Sequence, residues 1–307
     1  MAKKRYLEEL IRGGLFRFNR LDIDDIDNDR VARDFSVTML EQEICLFSQG
    51  MRNGDDYCRF LHERFVNALQ QRQPLPVVRF ADGEYAFYNH TLGCNGLYQQ
   101  AESVAAIKRA MPQHIQALKY LGTRGLFAPL VFPGNAHAPA DGIFSLWQKK
   151  NDSVGAEFLD FLQAHDINLT PENYVPFYVV YAYLSSPQFA AAVNRKKICI
   201  LNSDYNEECC RNWFSQFSSH PILTFVHIPA EYVATRWEES KMKTLKAVPR
   251  ETDLCLVGAG VGALLICADL AQNISVPAID AGHVLNMMNS RMDKSNGARL
   301  YTLRKKA

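Results

Sequence analysis

The segment Pro76-Val77-Val78-Arg79-Phe80-Ala81-Asp82-Gly83-Glu84 passes from apolar residues to a cation, two carboxylates and a glycine within nine positions. Carboxylates two residues apart, with a glycine between them to allow a sharp turn, can converge on one hard cation. Mg²⁺ or Mn²⁺ is commonly held in this way, by one or two carboxylates together with the phosphates of a substrate. Arg79 stands where it could hold a phosphate beside Asp82 and Glu84. The same residues also read as a surface Asp-Gly turn with a solvated Glu, and the segment alone does not choose between the two.

Two later segments repeat the pattern of chemistry next to glycine. Gly258-Ala259-Gly260-Val261-Gly262-Ala263 follows an apolar run and precedes a helical one. Glycines there let a backbone approach a pyrophosphate, with the unpaired N–H groups of a helix start behind it. The spacing also satisfies a dinucleotide fingerprint, with Asp280 at the acidic position 22 residues after Gly258. Tight packing of helix on strand explains the same glycines without a ligand. Asp280-Ala281-Gly282-His283 then supplies another carboxylate and a histidine. His283 is a candidate ligand for a metal or a diphosphate oxygen, and equally a hydrogen-bonded core histidine.

These segments need elements to position them. Val77, Val78 and Phe80 are β-formers between prolines and a glycine and predict a short buried strand, so that the Asp-x-Glu pair sits at its C-terminal end. Strands are also predicted at 125–128, 196–201, 223–228, 253–257 and 276–280. Helices are predicted over 56–70, 153–163, 231–247 and 263–272. In Glu102 to Leu121, Pro112 predicts two consecutive helices rather than one, and Val175 to Tyr183 reads as either a strand or a buried helix. Strands alternating with helices predict an α/β fold, a mostly parallel Rossmann-like sheet with helices on both faces. Ligands of such sheets bind at the carboxyl ends of the strands, where Asn202 and Asp204 join the candidates.

Residues 1–70 predict a helical N-terminal extension, 71–290 the α/β catalytic domain and 291–307 a basic tail. The run Asp22 to Asp29 lacks the glycine and glutamate of a calcium loop and reads as a solvated acidic segment. Residues 133–142 form a loop rich in Pro and Gly. The tail carries Arg291, Lys294, Arg299, Arg304, Lys305 and Lys306 against Asp293, which suits peripheral contact with an anionic membrane or a solvated end.

Thirty-four Lys plus Arg balance 33 Asp plus Glu in 307 residues, so no global field favours nucleic acid. Eight cysteines without a Cys-x-x-Cys pair are expected as buried, reduced thiols of a cytoplasmic protein. A signal-peptide apolar region is not expected after the basic start, nor an apolar run of membrane-spanning length.

The ordered set Arg79-Phe80-Ala81-Asp82-Gly83-Glu84, Lys197 to Leu201, Leu254 to Gly260 with Ala268-Asp269-Leu270, and Ala278 to His283 resembles the GT-D fold glycosyltransferases. Those proteins typically read Arg-Phe-Gly-Asp-Gly-Glu at the first site and Asp-x-Gly-His near the end, so Ala81 departs from the pattern. The resemblance implies a metal-dependent transferase moving a sugar from a nucleotide-diphosphate donor, a UDP-sugar favoured, to a glycan or glycoconjugate acceptor. It implies Asp82 and Glu84 as catalytic residues and, with His283, as holders of Mn²⁺ or Mg²⁺. The nucleotide sugar would meet Arg79, Asn202, Asp204, Gly258, Gly260, Gly262, Asp280 and His283. Glu84 is the first candidate for the base that deprotonates an acceptor, followed by Asp204 or Asp280. An NAD(P)-dependent oxidoreductase built on the Gly258 fingerprint and a non-catalytic nucleotide- or sugar-binding module are the alternatives.

Overall fold

A computed structural model describes residues 54–130 and 154–289, positions 97 and 171 apart. The predicted helical start, the acidic run at 22–29, the loop at 133–142 and the basic tail lie outside the described residues.

Six parallel strands form one sheet: β1 (Leu75–Phe80), β2 (Leu126–Pro129), β3 (Lys197–Asn202), β4 (Ile222–His227), β5 (Leu254–Gly258) and β6 (Pro277–Asp280). Their order across the sheet is β2-β1-β6-β5-β3-β4. Every residue of β1, β2 and β6 is buried. Parallel strands covered on both faces need such continuous apolar runs, whereas β4 at one edge has exposed ends and only two fully buried positions.

The helices are α1 (Gly54–Gln71), α2 (Asp82–Tyr88), α3 (Val104–Arg124), α4 (Val154–Ala164), α5 (Phe177–Leu184), α6 (Pro187–Ala192), α7 (Glu207–Ser215), α8 (Val233–Ala247), α9 (Ala263–Ile274) and α10 (Gly282–Met288). α3, α8 and α9 pack against one another on one face, while α1 and α5 cover β1, β2 and β6 from the other. Tyr57, Leu61 and Phe65 of α1 are buried, and Phe65 meets Tyr183 and Phe189 edge-on or tilted. α1 is therefore part of the core rather than an appendage to it.

Two expectations change. Pro112 lies inside a single helix, α3, and does not divide it. Ala106, Ile107, Ala110, Met111, His114, Ala117, Leu118 and Leu121 are buried along its length, and burying that stripe outweighs the roughly 3 kcal/mol that an interior proline costs. Val175 to Tyr183 resolves as helix from Phe177, because α5 lies over β1 and β2 instead of extending the sheet.

Crossovers fix where the sheet opens. The connection leaving β3 runs to β4 on one side, and that leaving β5 runs to β6 on the other. The chain diverges between β3 and β5, where Asn202 pairs with Gly258 at the carboxyl ends of the strands. This is the topological switch point at which α/β sheets take ligands.

Candidate active site

A cavity of about 330 Å³ opens over the carboxyl ends of β1, β6, β5 and β3. It is lined by Arg79, Asp82 and Glu84 from the first motif, Asn202 from β3, Gly258 and Gly260 from the glycine-rich turn, and His283 from α10. Residues far apart in the chain are thus gathered by one sheet edge. Three candidates do not line it: Asp204, Gly262 and Asp280.

Asp280 instead holds Arg79 in place. Its Oδ1 accepts from Arg79 Nη2 at 2.8 Å, its Oδ2 from the Arg79 amide at 3.3 Å, and its carbonyl oxygen from Arg79 Nε at 3.0 Å. Arg79 Nη1 donates to the Tyr181 hydroxyl, and the guanidinium also lies over the rings of Tyr181 and Phe177. Arg79 and Asp280 are 7% and 3% exposed, so this is a buried pair with its hydrogen bonds satisfied. Burial alone would lower the Arg79 pKa, but Asp280, and after it Tyr181, hold it above its ordinary value. β1 and β6 are neighbours in the sheet, and that adjacency joins the first motif to the last. The dinucleotide reading loses its acidic residue here, because Asp280 is buried against Arg79 and does not line the cavity where a ribose would lie.

Gly282 is required by the same cluster. Its φ is +35°, and a Cβ there would overlap Arg79 Nη2 and stand 2.8 Å from Arg79 Cζ, so only glycine lets the guanidinium lie across this turn.

Asp82 and Glu84 occupy the first turn of α2. Asp82 is exposed at the cavity, whereas Glu84 is half-buried. Glu84 Oε2 accepts from the amide of Ala81 at 2.8 Å, so this carboxylate also closes the start of its own helix. Burial pushes the Glu84 carboxyl up to about 7; the Ala81 amide pulls the other way, and Asp280 adds to the rise.

The glycine-rich turn is filled from within the protein. The Val261 amide donates to Gln100 Oε1 at 2.9 Å, and the Gly262 amide donates to the Ala259 carbonyl. Gly260 has φ +51°, and a Cβ on it would stand 2.6 Å from the Gln100 side chain. A Cβ on Gly262 would meet Val233 at 2.6 Å, and one on Gly258 would meet Leu285 at 2.8 Å. Close packing therefore accounts for Gly258 and Gly262, and two of the turn's amides already have partners. Asn202 is likewise committed: Oδ1 accepts from the Ser203 amide, and Nδ2 donates to the Asp204 carbonyl. Asn289, just past the end of α10, donates to that same carbonyl at 3.0 Å and accepts from the Asn206 amide at 2.9 Å, fixing the loop after β3.

Among the described residues no three His, Cys, Asp or Glu side chains are grouped to hold a metal ion. His283 shares the cavity but meets Tyr181 edge-on, with ring centroids 6.1 Å apart, and does not complete a three-ligand set with Asp82 and Glu84. Any cation here would need further ligand atoms from substrate, water or carbonyl oxygens.

Residues 147–288 match a family described as a GT-D fold-like domain. That span carries a GT-D fold-like domain. The matched span of this GT-D-like domain includes β3 to β6 and the glycine-rich turn but begins after Arg79, Asp82 and Glu84. The chain is also similar to a selenomethionine-substituted structure of domain of unknown function 1792, at 14% identity and TM-score 0.45 over 78% of this chain and 88% of that one. A second structure of domain 1792, described as having a distinct glycosyltransferase fold, gives 16% identity and TM-score 0.43 over 78% of this chain and 87% of that one. No curated protein matches the chain.

Several lining residues carry no signal in the sequence: Tyr98, Gln100, Phe177, Tyr181, Pro229 and Asn286. Asn95-Gly96 marks a turn before Tyr98, but nothing in the spacing says that this turn faces the carboxylates. No helix among the described residues is long and apolar enough to cross a membrane.

Proposed function

We propose that this GT-D-fold protein is a glycosyltransferase that takes a sugar from a nucleotide-diphosphate donor in the cavity at the strand ends, with a divalent cation, and passes it to a glycan or glycoconjugate. The observation that carries this reading is the charge of the site. Among the described lining residues Arg79 is the sole Lys or Arg, and it is neutralised by Asp280, while Asp82 and Glu84 both face the cavity. A diphosphate entering such a cavity meets a carboxylate excess and no uncommitted side-chain cation of this kind. Asp82 and Glu84 fit a hard cation that arrives with the phosphates, since two carboxylates suffice when the substrate completes the coordination.

When bound, that cation would neutralise the charge that develops on the departing diphosphate. The chain's own residues do the rest. Arg79, fixed by Asp280 and Tyr181, adds a preorganised dipole at the floor of the site, where little reorganisation is needed as charge develops. Glu84 is the first candidate to receive the acceptor's proton, because it faces the cavity and is held by the Ala81 amide. The side from which the acceptor approaches decides whether the sugar's configuration is inverted or retained.

The test is donor turnover and binding with and without Mn²⁺. Asp82→Ala and Glu84→Gln should each abolish Mn²⁺-stimulated hydrolysis or transfer from UDP-sugars while the melting temperature stays near that of the parent. Full activity in both variants would overturn the assignment. Binding of UDP without turnover across a broad acceptor panel would favour a non-catalytic binding module instead.

A further inference from the structure

Tyr98 is 44% exposed and lines the cavity, an unusual setting for a large ring unless something covers it. Its exposure does not come from a loose backbone. The Tyr98 carbonyl accepts from Gln100 Nε2 at 3.2 Å, and the other end of that amide accepts from Val261 in the glycine-rich turn. The carbonyl of Gln99 accepts from the Tyr232 amide at 2.8 Å, and the Tyr232 hydroxyl donates to Gln99 Oε1. Asn95 closes the loop on itself: Oδ1 accepts from the amides of Gln100 at 2.8 Å and Ala101 at 3.1 Å, and Nδ2 donates to the Ala101 carbonyl at 2.8 Å. Tyr98 is therefore an aromatic ring presented at the cavity from a segment tied both to the turn after β5 and to the segment after β4. That second segment contributes Pro229 and Ala230 to the same cavity.

We infer that Tyr98 is the platform on which the donor's nucleobase stacks. The inference rests on the proposed function and adds the residue that recognises the nucleoside part. Base-on-aromatic stacking needs a planar ring, preordered and open on one face, and it tolerates any base. The polar side chains beside the ring favour stacking over edge readout, since Gln100 and Asn202 are already engaged within the protein. Tyr98 is a binding residue in this account and takes no part in bond cleavage.

The experiment compares UDP with inorganic pyrophosphate, each with Mn²⁺, by calorimetry on the full chain. Tyr98→Ala should weaken UDP about ten-fold or more and leave pyrophosphate binding unchanged, whereas Tyr98→Phe and Tyr98→Trp should keep the parent's UDP affinity. Equal UDP affinity in Tyr98→Ala and the parent would overturn the inference while leaving the transferase reading standing. So would an equal loss of UDP and pyrophosphate, because that pattern marks a general disturbance of the site. If the parent binds no nucleoside diphosphate at all, the transferase reading falls and this inference with it. Matching melting temperatures of the ligand-free proteins guard against misfolding, which an exposed position makes easy to satisfy.

Discussion

Substituting Gly282 by alanine should unlock the buried Arg79–Asp280 pair. The added Cβ would overlap Arg79 Nη2 and come within 2.8 Å of Cζ, inside any tolerable contact, so the guanidinium must move. It cannot slide sideways at little cost, because Asp280 holds it through two hydrogen bonds and Tyr181 through a third. Displacing it leaves Asp280, 3% exposed, without its counter-ion. Breaking a buried pair from one side costs about 3–5 kcal/mol, and alanine at a positive φ adds about 1–2 kcal/mol. The sum, about 4–7 kcal/mol, is a large part of the roughly 5–15 kcal/mol that holds a typical domain folded. Urea unfolding followed by circular dichroism measures it, with Gly83→Ala as the control. A Cβ added at Gly83 would meet no heavy atom within 4 Å, and this residue sits in the first turn of α2, so alanine there should be neutral or stabilise by up to about 1 kcal/mol. A loss below about 1 kcal/mol in Gly282→Ala would refute the reasoning, since it would mean that Arg79 yields freely and is not fixed by its partners.

Gly260→Ala should likewise destabilise, by about 1–3 kcal/mol in urea unfolding, because φ is +51° and Gln100 would lose its place against the Val261 amide. Burial lowers the pKa of His114 to about 4, with the Ala234 carbonyl opposing. Its stability contribution is therefore full above the unfolded value near 6.5 and is lost as pH falls to about 4, a change of about 3 kcal/mol that His114→Gln should lack when the two unfolding free energies are compared across pH. Asn289→Ala should cost about 2 kcal/mol and raise hydrogen exchange at Ser203 to Asn206, whose loop it holds. Asp82→Asn should abolish the cation effect: UDP affinity without Mn²⁺ rises or stays level as a repelling carboxylate is removed, while the gain on adding Mn²⁺ disappears, both read by calorimetry.

Residue types at strand ends were legible in the sequence because they interrupt apolar runs. Arg79, Asp82 and Glu84 follow Val77 and Val78, and Asp280 follows Ile279, so apolar patterning alone assigns both motifs to the carboxyl edge of a parallel sheet. Their partners were not legible. Arg79 and Asp280 are 201 positions apart and Gln100 and Val261 are 161 apart, and only the order of strands and helices brings them together. The same gap explains the glycine-rich turn. Its spacing matches a phosphate cradle, but the side chains of Gln100, Val233 and Leu285 that occupy its surroundings are supplied by other elements of the chain. Pro112 misled for an energetic reason, because local propensity counts the proline and cannot count the buried stripe on either side of it.

The two motifs bear on each other through charge. Had β6 been separated from β1, Arg79 would have faced the cavity as an unpaired cation and could have met a diphosphate directly. With Asp280 beside it, the pair is neutral to a first approximation, and the field of the cavity is set by Asp82 and Glu84. Burial already pushes the Glu84 carboxyl up to about 7, a direction that a neighbouring divalent charge would reverse. On the proposed transferase reading, a site so arranged would favour phosphates that bring a cation with them over bare phosphate esters. The buried pair thereby does more than hold two strands together, because it leaves the cavity without an uncompensated arginine.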